Sequence, residues 1–172
     1  MVRKKWFDRK FEFDHLNGTI DGILERLSST PLRLNHKIAS ISSINYTVST
    51  EGSWSIQEQV GHLLDLEPLW LGRLKDMKNK LEEMRAADLE NLKTHAANHN
   101  AQDMNQLLHH FEKERAGFVQ EIYTNKDQAE ILSALHPRLK TPMRLIDLAY
   151  FVAEHDDHHL ASISLLTKNH NK

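Results

Sequence analysis

The stretch "TPMRLIDLAYFVAEHDDHHLASISLLT", Thr141–Thr167, carries a helical stripe and a histidine cluster together. At 100° per residue, Leu145, Leu148, Ala149, Val152, Ile163 and Leu166 fall on one face, the spacing of a helix that buries that face. His159 lies near the centre of the stripe and His155 near its edge. The two are four residues apart, so their rings can meet from adjacent turns. Asp156 also falls inward, whereas Glu154 and Asp157 point away. His158 lies about 60° beyond His155 and is read as a surface residue.

Working outward, the same periodicity dominates the chain, and β-branched alternation is almost absent. Gly and Pro number only 6 and 4. A short first helix is predicted from about Leu16 to Leu27. Thr30-Pro31 reads as a cap with proline at the first helical position, opening a helix to about Ile44. Thr141-Pro142 reads the same way and opens the last helix, to about Thr167. Between them, "STEGSWS" (Ser49–Ser55) is a connector ending in Ser55-Ile56-Gln57-Glu58, a capping box. The helix it opens runs to about Lys80. Pro68 within it removes the amide that would bond the Leu64 carbonyl, which predicts a kink there. Arg85 to His99 is a linker of weak periodicity, and Asn100 caps a further helix from Ala101 to about Thr124. The predicted fold is all-α: one domain over residues 1–172, an up-down four-helix bundle over 30–168 behind an N-terminal segment (1–29) with a short helix.

The helix opened by the capping box carries its stripe on Ile56, Val60, Leu63, Trp70 and Leu74. His62 sits at the border of that stripe, with Gly61 leaving room for close approach. One histidine from this helix and the His155/His159 pair from another would place three imidazoles around a point, with remaining positions open. Spacing alone is weak evidence. With 12 histidines in 172 residues, about one such pair is expected by chance, and His95/His99 in the linker is a second. What distinguishes His155/His159 is the apolar stripe. Buried imidazoles need partners, and these are either a metal ion or hydrogen bonds to Asp156 or backbone.

Composition limits the chemistry. A formal charge of −2 gives no basic surplus for neutralising phosphates, which argues against nucleic acid as a partner. There is no cysteine, so any metal would rest on His, Asp, Glu or water. No apolar run reaches the roughly 20 residues that span a bilayer, and "WFDRKFEFDH" lacks the apolar core of a signal peptide. A cytoplasmic protein with no membrane or nucleic-acid partner is expected.

"WSIQEQVGHLLDLEPLWLGR" and "TPMRLIDLAYFVAEHDDHHLASI" resemble the two signature segments of the DinB-like superfamily of four-helix bundles. The resemblance extends over most of the chain, through "ANHN" and "HPRLKTP". It implies a divalent metal, zinc or nickel above all, on His62, His155 and His159. It also implies a homodimer and, for function, metal-dependent transfer of a low-molecular-weight thiol to an electrophile. Metal-dependent hydrolysis and a non-catalytic, metal- or ligand-binding stress-response role are the alternatives. Around the ligands, Asp156 is the first candidate for a carboxylate that orients a ligand histidine, with a plain salt bridge as the alternative. Asp65, one turn beyond His62, is either a second such group or part of a solvated face. Glu58 is explained by the capping box. Asn98, His99 and His136, in loops beside helix starts, are candidates for lining the mouth of the site.

Overall fold

The computed structural model describes residues 4–14, 19–49 and 52–170. The predicted start at Leu16, and Thr50 and Glu51 of the predicted connector, lie outside them. The chain is the predicted four-helix bundle, built from α1 (Ile20–Ala39), α2 (Ile56–Lys78), α4 (Met104–Thr124) and α5 (Leu145–His170). A five-residue helix α3 (Leu92–Ala96) precedes α4. Strands β1 (Ser133–Leu135) and β2 (Pro142–Arg144) form a small antiparallel hairpin before α5, with Ala134 opposite Met143.

Local chemistry explains the boundaries. The capping box forms as predicted: Ser55 Oγ accepts from the Glu58 amide at 3.1 Å, and the Ser55 amide donates to Glu58 Oε2 at 2.8 Å. Helix α2 then continues through Pro68 to Lys78. The cap of α4 is Asp103, whose Oδ1 accepts from the Gln106 amide at 2.9 Å, and not Asn100. Asn100 instead lies in a 3-10 turn and accepts from Ser55 Oγ at 2.7 Å.

Both Thr-Pro readings are corrected. The helices predicted over 16–27 and 31–44 are one helix, with Pro31 in its interior. Pro31 leaves the Leu27 carbonyl without its helical amide, and Arg115 Nη1, from α4, lies 3.5 Å from that oxygen. Thr30 does not cap. Its hydroxyl donates to the Arg26 carbonyl or to Asp156, at 3.0 and 2.9 Å. Pro142 starts a strand, a position that asks for no amide donor. The first amides of α5, from Leu145 and Ile146, go to the Leu132 and Ala129 carbonyls.

The apolar interior falls into two clusters. One holds Leu27, Trp70, Leu74, Phe118, Leu148 and Val152; the other holds Leu34, Val60, Leu63, Phe111, Leu160 and Ile163. Along the chain, α1 and α5 pass from the first cluster to the second, while α2 and α4 pass from the second to the first. The alternation expected in chain order therefore holds from α1 to α2 and from α4 to α5, but α2 and α4 run parallel. Helix α1 packs on α4 and α5, and so does α2, which leaves α1 and α2 across a diagonal. Residues 79–103 make the return that a parallel pair needs, running back along α2 through α3 and the His99 turn.

Between the clusters lies a buried polar layer to which every long helix contributes. Arg115 of α4 grips Glu67 of α2, with Nη2 2.6 Å from Oε1, and bonds both oxygens of Asp156 of α5. Thr30 of α1 donates to Asp156. Arg115, Glu67 and Asp156 are each at most 1% exposed. Burial opposes the Arg115 charge, but Asp156 and Glu67 outweigh it and raise its pKa. Burial lifts Glu67 to about 6 despite Arg115. Arg115→Met would leave two carboxylates buried without a cation, at a cost of about 3–5 kcal/mol. Urea unfolding at pH 7 is expected to show that loss. Arg115→Lys, which keeps the charge but not the fork, should lose less.

Candidate metal centre

His62 of α2 and His155 and His159 of α5 are buried together, at 4, 4 and 6% exposure. Each offers a ring nitrogen within 4.8 Å of the others. Ring centroids are separated by 5.4 Å (His62–His155), 4.8 Å (His62–His159) and 4.4 Å (His155–His159). Antiparallel packing of α2 on α5 brings them together from 93 or more positions apart in the chain. Trp54, on the loop before α2, lies 4.6 Å from the His62 ring and stacks on His159 at 6.2 Å.

Neighbours fix which nitrogen each ring presents. Thr94 Oγ1 donates to Asp65 Oδ2 at 2.9 Å, so it accepts from His62 Nδ1, 3.1 Å away. Gln59 Oε1 can only accept, and it lies 2.6 Å from His159 Nδ1. Both rings therefore carry their proton on Nδ1 and present the Nε2 lone pair. His159 Nε2 in turn stands 3.2 Å from His155 Nε2, while His155 Nδ1 is buried with no hydrogen-bond partner. Burial pushes the His62 pKa down to about 4, with His99 and His95 adding to it and Asp65 opposing. His155 is lowered well below its ordinary value by burial and by the charges of His62, His158, Arg115 and Arg9. With His62 and His155 held neutral, and His62 and His159 aimed nitrogen-first by acceptors behind them, the three imidazoles form a donor set that fits a divalent cation.

The remaining sequence candidates separate. Asp65 does stand behind His62, through Thr94, and it also takes His99 Nε2 at 2.8 Å. Of the two readings of Asp156, the salt bridge holds and the orienting role is corrected: its carboxylate is spent on Arg115 and Thr30 and bonds no histidine. Asn98 is exposed, in a left-handed conformation at φ 47°. His99 is buried against Gly61, where a Cβ would overlap its ring. Neither lines the site; His99 acts from behind, through Asp65. His136 does line it. His158 is half-buried on the same wall, its ring 5.4 Å from that of His159, and is not the surface residue predicted.

The histidines open onto a cavity of about 540 Å³. All three tryptophans of the chain (Trp6, Trp54 and Trp70) line it together with Phe151, Arg73 and Arg138. Trp6, in the N-terminal 3-10 turn, packs edge-on to His155 at 4.9 Å. Arg9 and Arg26 tie this end to Glu154. Arg73 stands three turns from His62 on the same face of α2, a spacing that the helical wheel contains and that the sequence reading passed over. His136 is pushed down to about 3 by burial and by the Arg73 and Arg138 charges.

His62 and His136 are thus neutral in the fold, whereas in the unfolded chain they take up protons below about pH 6.5. Their contribution to stability is present above pH 6.5 and is lost as pH falls towards 4 and 3, by about 2 kcal/mol each at pH 5. Glu67 has the opposite sign: its contribution is full below about 4.5 and fades as pH rises through 6. Denaturant unfolding of chelator-treated protein is expected to show a net loss from pH 7 to pH 5. His136→Gln should shrink that loss by about 2 kcal/mol, and an unchanged slope would contradict the assignment.

Comparison with known proteins agrees with this architecture. The family model of the DinB superfamily matches residues 19–163. No curated protein matches the chain. Among solved structures, YfiT from Bacillus subtilis superposes with a TM-score of 0.81 at 20% identity, covering 95% of this chain and 94% of its own. That protein is described as a probable metal-dependent hydrolase with an unusual four-helix bundle topology. The match over residues 19–163 takes in α1, α2 and α4 whole, most of α5, and the three clustered histidines: the chain belongs to the DinB superfamily.

Proposed function

We propose that the protein is a metal-dependent enzyme that joins a low-molecular-weight thiol to an electrophilic small molecule, with His62, His155 and His159 holding a divalent ion. The ion supplies Lewis acidity towards an incoming thiol or water. The observation that carries the reading is the three-imidazole cluster opening onto a cavity of about 540 Å³, large enough for two small reactants side by side. Trp54, Trp70 and Phe151 give that space an apolar wall that excludes water and seats a carbon skeleton. Thr94 and Gln59 hold the Nδ1 protons of two ligand rings and so keep Nε2 directed at the centre. The absence of cysteine from the chain fits a thiol brought in from outside.

Hydrolysis is the second reading, favoured by His158. Half-buried on the cavity wall beside His159, it is an imidazole placed to accept a proton from water. YfiT, described as a probable metal-dependent hydrolase, supports the same alternative.

Elemental analysis of tag-free protein is expected to give near-stoichiometric zinc, nickel or another divalent ion, lost in His159→Ala. A wild-type chain that stays empty when these ions are supplied would remove both readings. With metal present, conjugation of a panel of small thiols to an electrophilic arene, set against hydrolysis of an activated ester, separates the two chemistries. His158→Ala should abolish only the second. Thr94→Val is expected to weaken metal binding by about 10–100-fold while leaving the bundle folded.

A further inference from the structure

The cavity that the histidines open onto also has a cationic stretch of wall, Arg73 and Arg138, without an ion-paired carboxylate among the described residues. Arg73 is 2% exposed. Its Nε donates to the Arg85 carbonyl at 3.2 Å, and its Nη1 faces His136 Nε2 at 3.1 Å. Asp76, the acid that acts on Arg73, is already bound by Arg85 through both oxygens at 2.7–2.9 Å. Arg138 has a buried Nη2 with no hydrogen-bond partner, and its guanidinium lies 5.2 Å over the Phe7 ring. Neither arginine pairs with a carboxylate among the described residues. Asp88, the one carboxylate on the wall among them, accepts from the Glu90 and Lys93 amides.

His136 sharpens the point. Its Nδ1 lies 3.2 and 3.1 Å from the Arg138 and Leu139 amides, and its Nε2 faces Arg73. A neutral imidazole carries one proton, so whichever nitrogen holds it, an N–H is set against an N–H. The wall is thus a group of donors and positive charge short of an acceptor. Buried guanidinium without a partner is costly, and its planar fork matches an oxyanion.

We propose that Arg73, Arg138 and His136 form an anion subsite, and that the cavity takes an organic oxyanion: a molecule with an apolar body and a carboxylate or phosphate group. The charged end lies on the arginines and the body on Trp70 and Phe151. The non-anionic part of the ligand then faces the histidines, so the inference rests on the proposed function for the ligand's reactivity, though not for its binding. Arg73 and Arg138 are positioning residues that select the substrate by charge.

The test uses full-length protein, as purified and after chelation, titrated with 4-phenylbutyrate and with its neutral amide, 4-phenylbutyramide. Tryptophan fluorescence reports occupancy, since all three tryptophans line the cavity. The carboxylate is expected to bind at least about tenfold more tightly than the amide, in both metal states and in His159→Ala. Arg138→Gln should cut the preference to within about threefold. Arg138 is only half-buried, so this variant is expected to fold, with thermal melting as the check. Arg73→Lys, which keeps the charge, should retain most of the preference. The proposal is overturned by equal binding of the two compounds, by no binding of the carboxylate at millimolar concentration, or by a preference that survives Arg138→Gln. A preference that vanishes on chelation also overturns it, because the metal would then be reading the anion. Failure to find metal, with the preference intact, sinks the proposed function and leaves the subsite standing.

Discussion

Arg115 sets the register of the bundle. An apolar core tolerates sliding of one helix along another at small cost, but a buried guanidinium between two buried carboxylates does not. Once Arg115 of α4 has found Glu67 and Asp156, α2 and α5 can sit at only one relative height, and Thr30 brings α1 to the same level. Asp156 is next to His155, and Glu67 lies five residues from His62. The register that satisfies the ions is the one that assembles the histidines. The same arginine covers the carbonyl that Pro31 leaves bare in α1. A charge layer that adds little net stability by itself thus decides where everything else falls.

The parallel course of α2 and α4 has a second effect on the site. A parallel pair cannot be joined by a short turn, so residues 79–103 travel the length of α2 and lay Thr94 and His99 behind His62. Gly61 makes the space for His99. The group that aims the His62 ring comes from the crossover and not from a bundle helix. The hairpin before α5 also contributes to the cavity wall, since the turn between β1 and β2 carries His136 and Arg138. Irregular segments shape the cavity while the helices hold the imidazoles.

How much of this could be read from the sequence follows from the range of the interactions involved. The capping box is local and was legible; so was the stripe that turned His155 and His159 inward. Pro31 and Pro142 were misread because their fate depends on distant partners: Arg115 for one, the β1 strand for the other. Asp156 was correctly placed as inward-facing. Its assignment to a histidine failed because nothing within a turn of it announces Arg115. Thr94 lies in a stretch without periodicity, where no wheel can assign a face. Arg73 was accessible in principle, on the His62 face of α2, but an arginine on a helix is ordinarily read as solvated.

The three histidines belong to two helices that sit far apart in the chain, α2 and α5. No partial chain lacking α5 can offer the cluster, and α5 is also the helix that completes the charge layer. Any ligand that bridges α2 and α5 at these rings therefore binds the finished bundle and not its precursors. By mass action it stabilises the native state by the margin with which it prefers the assembled cluster to the His155/His159 pair alone. Occupancy at this point acts as a clasp on the docking of α5 against α2. It couples the availability of a small ligand to the lifetime of the folded protein, whatever reaction the cavity supports.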